Sequence, residues 1–207
     1  MSVTRWWLIR HAPVPNPTGA IFGASDPVAD TSDWAAASAL AATLPDPAVW
    51  LTSPLRRSRQ TARALHPGAE PLVEAALAEQ NFGAWEGLSH DAIAARQPAD
   101  AARFWEDPAA NAPPEGESFA AVMARTAEAL IRLTAAHAEQ NLIAVIHGGS
   151  IRAAVALALD LTPAAALRLR VDHWSLTRLD HHATADGSGS WSVGCVNRLP
   201  GRDAAGR

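Results

Sequence analysis

Two histidines stand where buried strands are predicted to end. His11 follows an apolar, β-prone run over residues 3–9, and His147 follows a continuous apolar run over residues 141–146. In open α/β sheets, ligands bind at the edge formed by the carboxyl ends of the strands. We therefore expect both imidazoles at that edge of one sheet.

The residues beside these histidines are suited to binding an anion. Arg10 carries a fixed positive charge, and its forked donors match the oxygen atoms of a phosphate group. Two glycines after His147 allow close approach of the backbone, and the helix predicted to start near Ser150 directs free N–H groups outward. Arg10, His11 and His147 are therefore predicted to form one phosphoryl-transfer site.

The elements around these residues alternate between strand and helix. The first strand is followed by helical spacing over residues 33–44, a short strand at 49–52 and a helix with Pro54 in its first turn. This alternation predicts an α/β fold with a mostly parallel sheet, and an irregular segment over residues 75–114 is expected beside it. The remaining predictions are a helix from Glu117 to about Gln140, a helix from Ser150 to Leu159, strands over residues 167–171, 174–179 and 191–196, and a turn at Asp186–Gly189.

Length and composition favour one domain. The chain has 207 residues and is 48% hydrophobic, which is enough to bury a full core. We expect a single domain over residues 1–200 and a disordered tail over residues 201–207.

Charge and residue usage limit the possible partners and compartments. The formal net charge is -4, so the chain lacks the basic surface typical of proteins that bind nucleic acid or anionic membranes. The apolar run Trp6–Ile9 is too short for a signal peptide or a membrane span, and the single cysteine fits a reducing compartment, so a cytoplasmic protein is expected. The absence of lysine excludes a Schiff-base or phosphate-loop lysine. No oligomeric state follows from the sequence.

Four motifs occur in order along the chain. They are Leu-Ile-Arg10-His11, the segment from Ser53 to Ala62 that contains Arg57 and Thr61, the segment from Leu77 to Gly87 that contains Glu79 and Glu86, and Val145-Ile-His147-Gly-Gly-Ser-Ile-Arg152. With these motifs the chain resembles the histidine phosphatase superfamily, also called phosphoglycerate mutase-like, over residues 3–199. The length and the Trp85-Glu86-Gly87 segment look most like the small phosphatases, including the α-ribazole phosphatase type.

The resemblance implies a three-layer α/β/α sandwich that hydrolyses a phosphate monoester of a small metabolite without a metal or other cofactor. It implies that His11 is the nucleophile and becomes transiently phosphorylated, that Arg10, Arg57 and His147 bind the phosphate, and that Glu79 donates the proton. Cations beside His11 would keep its imidazole neutral, and they would also stabilise charge on the transferring phosphoryl group. A carboxyl group can protonate the leaving alkoxide and later take a proton from water.

Two assignments within these motifs have competitors. Arg56 and Arg59 lie close to Arg57 in sequence, but helical spacing sends the three side chains in different directions, and the other two are interpreted as solvated surface residues. Glu86 competes with Glu79 as the proton donor and could equally be a carboxylate that braces a loop.

The segment after the nucleophile departs from the family pattern. Ala12 stands where the family usually has glycine, Pro13 stands where it often has an acidic or amide residue, and Asn16 is one position early for a phosphate-binding asparagine. The alternative functions are a cofactor-dependent phosphoglycerate mutase-type phosphotransferase and a catalytically silent module that binds a phospholigand or has a regulatory role.

Overall fold

The computed structural model describes residues 2–184 and 189–201. Residues 186–188 of the predicted turn and residues 202–207 of the predicted tail lie outside this range. Within it, no helix is long and apolar enough to cross a membrane.

A six-stranded sheet forms the centre of the protein, in the order β3-β2-β4-β1-β5-β6. The first four strands in this order are parallel to one another. Strand β5 runs antiparallel to β1, and β6 runs antiparallel to β5. The strands are β1 (Val3–Arg10), β2 (Val49–Thr52), β3 (Leu72–Val73), β4 (Asn141–Ile146), β5 (Leu176–Ala183) and β6 (Gly189–Arg198). The predicted α/β fold with a mostly parallel sheet is therefore confirmed.

Helices cover both faces of the sheet. They are α1 (Trp34–Ala41), α2 (Arg56–Leu65), α3 (His90–Arg96), α4 (Pro98–Glu106), α5 (Phe119–Ala136), α6 (Gly148–Leu159) and α7 (Pro163–Ala166). On one face, Leu8 and Ala144 pack in a cluster with residues of α5 and α6. On the other face, Ile9 and Val145 pack with residues of α1 and α2. Burial on both faces explains why β4 reads as a continuous apolar run.

The register of the central strands brings the two histidines together. Arg10, the last residue of β1, pairs with Ile146, the last residue of β4. The backbone N–H of His11 donates to the carbonyl of Ile146 at 3.0 Å, so His11 and His147 leave adjacent strands at the same level.

The strand predicted over residues 167–171 is wrong. This segment leaves α7 as a turn and an irregular stretch, although Val171 is buried. The carbonyl of Leu169 accepts from Arg152, and the carbonyl of Val171 accepts from Arg10. Arginine side chains thus satisfy backbone groups that a neighbouring strand would otherwise pair.

Other differences concern element ends. The second helix begins at Arg56, so Pro54 precedes it instead of lying in its first turn. The helix α5 is shorter than predicted, and α6 begins two residues earlier than predicted. The short edge strand β3 was not predicted. The irregular segment contains two 3₁₀ turns, Ala75–Leu77 and Gly83–Trp85, as well as α3 and α4.

Candidate active site

His11 is held as one tautomer by its two ring contacts. Its Nδ1 lies 2.6 Å from the carbonyl oxygen of Ala12, which can only accept a hydrogen bond, so Nδ1 carries the proton. Its Nε2 accepts from Nε of Arg57 at 3.2 Å. Nε2 is therefore the unprotonated ring nitrogen, and its lone pair accepts from Arg57.

Burial keeps this imidazole uncharged. Desolvation is the largest influence and holds the pKa of His11 well below its usual value of 6.5. The charges of Arg57, His173 and Arg10 act in the same direction, and together these influences outweigh the hydrogen bond to Ala12, which raises the pKa. A neutral imidazole with one unprotonated ring nitrogen is what a nucleophilic histidine requires.

The departure at Ala12 does not reach the cavity. Ala12 is fully buried in the cluster that packs β1 against α1 and α2. Its backbone N–H donates to Oγ1 of Thr61 on α2 at 2.9 Å. The added methyl group therefore lies in the core, on the far side of His11 from the cavity.

Arg57 is the arginine of the second motif that enters the site. Only 1% of its surface is exposed, whereas Arg56 and Arg59 are exposed on the outside of α2, as predicted. Its Nη1 and Nη2 donate to the carbonyls of Ser25 and Gly23, both at 2.6 Å. These two bonds fix the guanidinium plane and leave Nε directed at His11.

Arg10 and His147 each present a buried polar atom with no partner among the described residues. For Arg10 it is Nε, since Nη1 already donates to Val171. For His147 it is Nδ1, and this side chain is fully buried. Both atoms belong to residues predicted to bind phosphate.

His147 forms a hydrogen bond with Ser53 through Nε2. Its Nε2 lies 2.7 Å from Oγ of Ser53, and the same oxygen accepts from the backbone N–H of Leu55 at 3.2 Å. In the tautomer in which the Ser53 hydroxyl donates to Nε2, the His147 proton lies on Nδ1, the buried atom that has no partner among the described residues. Burial lowers the pKa of His147 well below 6.5, and the positive charge of Arg57 acts in the same direction.

Glu79 occupies the amino end of α6. The backbone N–H of Gly149 donates to both carboxylate oxygens, at 3.1 and 3.2 Å. A Cβ at position 149 would lie 2.2 Å from Oε1 of Glu79, so glycine is required for this approach. The sequence predicted free N–H groups here for a ligand, but the Gly149 N–H is occupied by a carboxylate of the chain itself.

Glu86 braces the loop that holds Arg57. Its carboxylate accepts from the backbone N–H groups of Gly23, Ala24, Ser25 and Phe82 at 2.8–3.0 Å. Burial raises the pKa of Glu86, but the hydrogen bonds from Ser25 and the backbone outweigh it, and the net shift is downward. Of the two carboxylates that competed as proton donor, Glu79 lines the cavity and Glu86 lies behind the loop.

We expect Glu86→Gln to weaken both the fold and the site. An amide cannot accept all of these bonds, so the free energy of unfolding should fall by about 2 kcal/mol. Arg57 should lose orientation, lowering kcat about tenfold on every phosphate ester. Urea unfolding and steady-state kinetics measure both effects, with the exposed Glu128→Gln on α5 as the control. Full stability in Glu86→Gln would contradict the bracing role.

A cavity of about 250 Å³ is lined by four of the five predicted site residues, whereas His147 is not among its lining residues and lies against His11, with their ring centroids 5.1 Å apart. Its polar wall contains Arg10, His11, Arg57, Glu79 and His173, and its other wall contains Val14, Asn16, Ala20 and Phe22. The Asn16 amide donates to the carbonyl of Ala20 and accepts from the N–H of Ala20, both at 2.8 Å, and so closes its own loop. In the described ranges, no group of three or more histidine, cysteine or acidic residues could hold a metal ion.

The sequence analysis missed His173. This residue lies before β5, and its ring centroid is 5.1 Å from that of His11. The available signal was its position directly before the strand predicted at 174–179. That signal can be used only if β5 is known to run antiparallel to β1, because the beginning of β5 then lies beside the end of β1.

Trp85, which the sequence analysis singled out with Glu86 and Gly87, is buried. It packs in a cluster with Ile93, Ala101 and Phe104, and its indole N–H donates to Gln97. It therefore supports the irregular segment from within.

Two neutral buried histidines should make the protein sensitive to acid. Below about pH 6.5 the unfolded chain takes up protons on His11 and His147, which the folded protein does not accept until the pH reaches their lowered pKa values. The free energy of unfolding should therefore fall by up to about 2.7 kcal/mol per pH unit in that window. Urea unfolding between about pH 7.5 and pH 5.5 tests this, with His147→Asn expected to lower the slope by about 1.4 kcal/mol per pH unit, the contribution of one proton. A pH-independent stability over this range would refute it.

The sequence is similar to a known protein family and to known proteins. The sequence profile described as the histidine phosphatase superfamily (branch 1) matches residues 6–192. The chain is 34% identical over 152 residues to a bifunctional protein of Mycobacterium tuberculosis, in an alignment that covers 72% of this chain. The alignment covers 40% of that relative, so the chain spans well under half of its length.

Phosphatases are found among the relatives and the similar solved structures. A glucosyl-3-phosphoglycerate phosphatase of Mycolicibacterium vanbaalenii is 31% identical over 210 residues, covering 90% of this chain and 88% of the relative. The structure of a mycobacterial glucosyl-3-phosphoglycerate phosphatase is 30% identical with a TM-score of 0.82, covering 94% of this chain and 99% of that one. An α-ribazole phosphatase from Shigella flexneri shares the fold at 24% identity and a TM-score of 0.80, covering 94% and 96%. The expected α/β/α sandwich is confirmed.

Proposed function

The chain belongs to the histidine phosphatase superfamily, and from this membership we propose that it hydrolyses a phosphate monoester of a small metabolite through a phosphohistidine on His11. One observation carries the proposal. The Nε2 lone pair of a neutral, buried His11 lies beside Arg57 in a cavity that Arg10 and Glu79 also line.

Phosphate binding is assigned to Arg10, Arg57 and His147. The unpaired Nε of Arg10 and the unpaired Nδ1 of His147 support this role, because a buried donor without a partner carries a desolvation penalty that an anion would relieve. Arg57 adds a charge beside the attacking nitrogen. These donors are already held by the protein, so they can stabilise a transferring phosphoryl group with little reorganisation.

In the first half-reaction, Nε2 of His11 forms a bond to phosphorus as the bond between phosphorus and the ester oxygen breaks. The leaving alkoxide takes a proton from the carboxyl group of Glu79 and departs as an alcohol. The carbonyl of Ala12 continues to accept from Nδ1 and so stabilises the positive charge that develops on the ring.

In the second half-reaction, a water molecule attacks phosphorus and gives a proton to the Glu79 carboxylate. The bond between nitrogen and phosphorus breaks, and inorganic phosphate leaves. Glu79 is thereby returned to its starting state.

Trapping the intermediate tests the proposal. After rapid quenching during turnover of p-nitrophenyl phosphate, the protein should carry phosphate that is labile in acid and stable in alkali. In water labelled with ¹⁸O, the released phosphate should contain one ¹⁸O atom from solvent. Hydrolysis without protein-bound phosphate would overturn the covalent route, and no hydrolysis together with tight phosphate binding would favour a silent phospholigand-binding module.

The substrate is proposed as a class. Glucosyl-3-phosphoglycerate and α-ribazole 5′-phosphate are suitable compounds for a first screen, together with other phosphorylated metabolites. Adding 3-phosphoglycerate separates hydrolysis from phosphotransfer, since isomerisation without net phosphate release would show a mutase.

The proposed setting follows from the same features. A single domain over residues 1–200 acting in the cytoplasm on a small molecule is supported by one continuous sheet and a single cysteine. The net charge of -4 supports the proposal that neither nucleic acid nor a membrane is a partner.

A further inference from the structure

The turn over residues 172–175, between α7 and β5, is hydrogen-bonded to the Arg10-His11 pair. The backbone N–H of Trp174 donates to the carbonyl of Arg10 at 3.1 Å, and the N–H of Arg10 donates to the carbonyl of Ser175 at 3.2 Å. Between them, Nδ1 of His173 lies 2.9 Å from the carbonyl of His11. Three contacts from consecutive residues thus hold the Arg10-His11 pair.

This turn adopts a conformation that side chains rarely occupy. Trp174 has a φ of 61°, and Asn197, which braces the turn, has a φ of 57°. The Asn197 amide accepts from the N–H of Asp172 at 2.6 Å and donates to its carboxylate at 2.9 Å. A bulky residue at positive φ is disfavoured and persists where the surroundings enforce it, often near functional sites. The enforced turn directs His173 into the cavity.

The protons of His173 follow from its neighbours. The His11 carbonyl can only accept, so Nδ1 carries a proton. Burial, followed by Arg10, lowers the pKa of His173, and Arg57 acts in the same direction, whereas the His11 hydrogen bond and Asp172 oppose them. The ring is therefore neutral near pH 7, with a lone pair on Nε2.

The cavity offers one other side-chain acceptor among the described residues that line it, Glu79, whose carboxylate accepts from the N–H of Gly149 and is proposed for proton transfer. Arg10 and Arg57 only donate, Nε2 of His11 is reserved for attack, and both polar atoms of the Asn16 amide are paired with Ala20. Nε2 of His173 has no hydrogen-bond partner in the part of the chain that the structure describes. A neutral donor on a bound substrate would find its acceptor at this nitrogen.

We propose that Nε2 of His173 accepts a hydrogen bond from a hydroxyl group of the leaving group, so that the preferred substrates are phosphate esters of polyols. This inference rests on the proposed function, because it assigns the substrate class of that same site. Nδ1 of His173 positions His11 through the His11 carbonyl, and Nε2 of His173 accepts from the hydroxyl group of the alcohol that leaves. Esters that lack a neighbouring hydroxyl group leave Nε2 desolvated and unpaired.

Two substrates and two variants test the inference. Glycerol 3-phosphate carries a hydroxyl group beside the ester, and propyl phosphate does not. The wild type should prefer glycerol 3-phosphate about tenfold in kcat/KM, as expected for one neutral hydrogen bond. His173→Asn keeps a donor at the position of Nδ1 but has no distal nitrogen, so this preference should disappear. His173→Gln keeps a distal acceptor and should retain it, even if both rates fall.

The outcomes separate this inference from the function on which it rests. If His173→Asn lowers kcat/KM for both esters by the same factor, the residue only positions His11, and recognition of the hydroxyl group is overturned. A wild type with no preference also overturns it while phosphohistidine still forms. If the wild type hydrolyses neither ester and forms no phosphohistidine, both proposals fall.

Discussion

A His11→Asn variant is expected to lose at least about 10⁴-fold in kcat on p-nitrophenyl phosphate and to carry no acid-labile phosphate. Asparagine can donate its amide proton to the carbonyl of Ala12, as Nδ1 of His11 does, so the loop keeps its anchor. It places no nitrogen lone pair at the position of Nε2. The loss should therefore appear in kcat, whereas inorganic phosphate should still bind through Arg10, Arg57 and His147.

Three measurements separate loss of chemistry from loss of fold. Urea unfolding should show that His11→Asn is folded, and competition with a fluorescent phosphate analogue should show that the anion site remains. The exposed His90 beside Trp105 provides a histidine control, and His90→Gln should keep the full rate. Turnover within tenfold of the wild type would remove His11 from the covalent step.

Glu79→Gln should give the second largest effect, and its size should depend on the leaving group. An alkyl phosphate needs a proton on its departing oxygen, so its phosphorylation step should slow about 10³-fold. A p-nitrophenolate ion leaves without a proton, and its release in a rapid-quench burst should slow less than about tenfold. Since Glu79 is also the proposed base for water, phosphohistidine should accumulate after the burst.

Glu86→Gln provides the contrast for this experiment. Glu86 acts through the loop that orients Arg57, so its substitution should slow both esters by similar factors. Glu79→Gln should slow the alkyl phosphate much more than p-nitrophenyl phosphate. Equal losses on both in Glu79→Gln would assign the proton to another group and leave Glu79 as an anchor at the amino end of α6.

The central part of the site was predictable because parallel strands end at one edge. Apolar runs before His11 and His147 identified β1 and β4, and motif order selected Arg57 and Glu79. The structure brings all four side chains together with Arg10. Their placement depends on short-range features, namely where a strand ends and where a helix begins.

Features that depend on tertiary contacts were not predictable. The alternating residues at 167–171 have the period of a strand, but arginine side chains take two of their carbonyls. His173 reaches the site through a turn with positive φ before an antiparallel strand, and periodicity shows neither property. The hydrogen bond from the Gly149 N–H to Glu79 was also not predictable, because it joins residues 70 positions apart.

The loop after His11 has a consequence for how the substrate range of the proposed enzyme could change. Phe22 lines the cavity, and the next residue, Gly23, gives its carbonyl to Arg57 and its N–H to Glu86. Phe22, which shapes the cavity wall, is thus adjacent to a glycine whose backbone N–H and carbonyl are both hydrogen-bonded to side chains. Substitution at position 22 would change this wall, and with it the alcohols that the proposed enzyme accepts, while the contacts that orient Arg57 are kept. Substrate preference can therefore drift between relatives without rebuilding the chemistry.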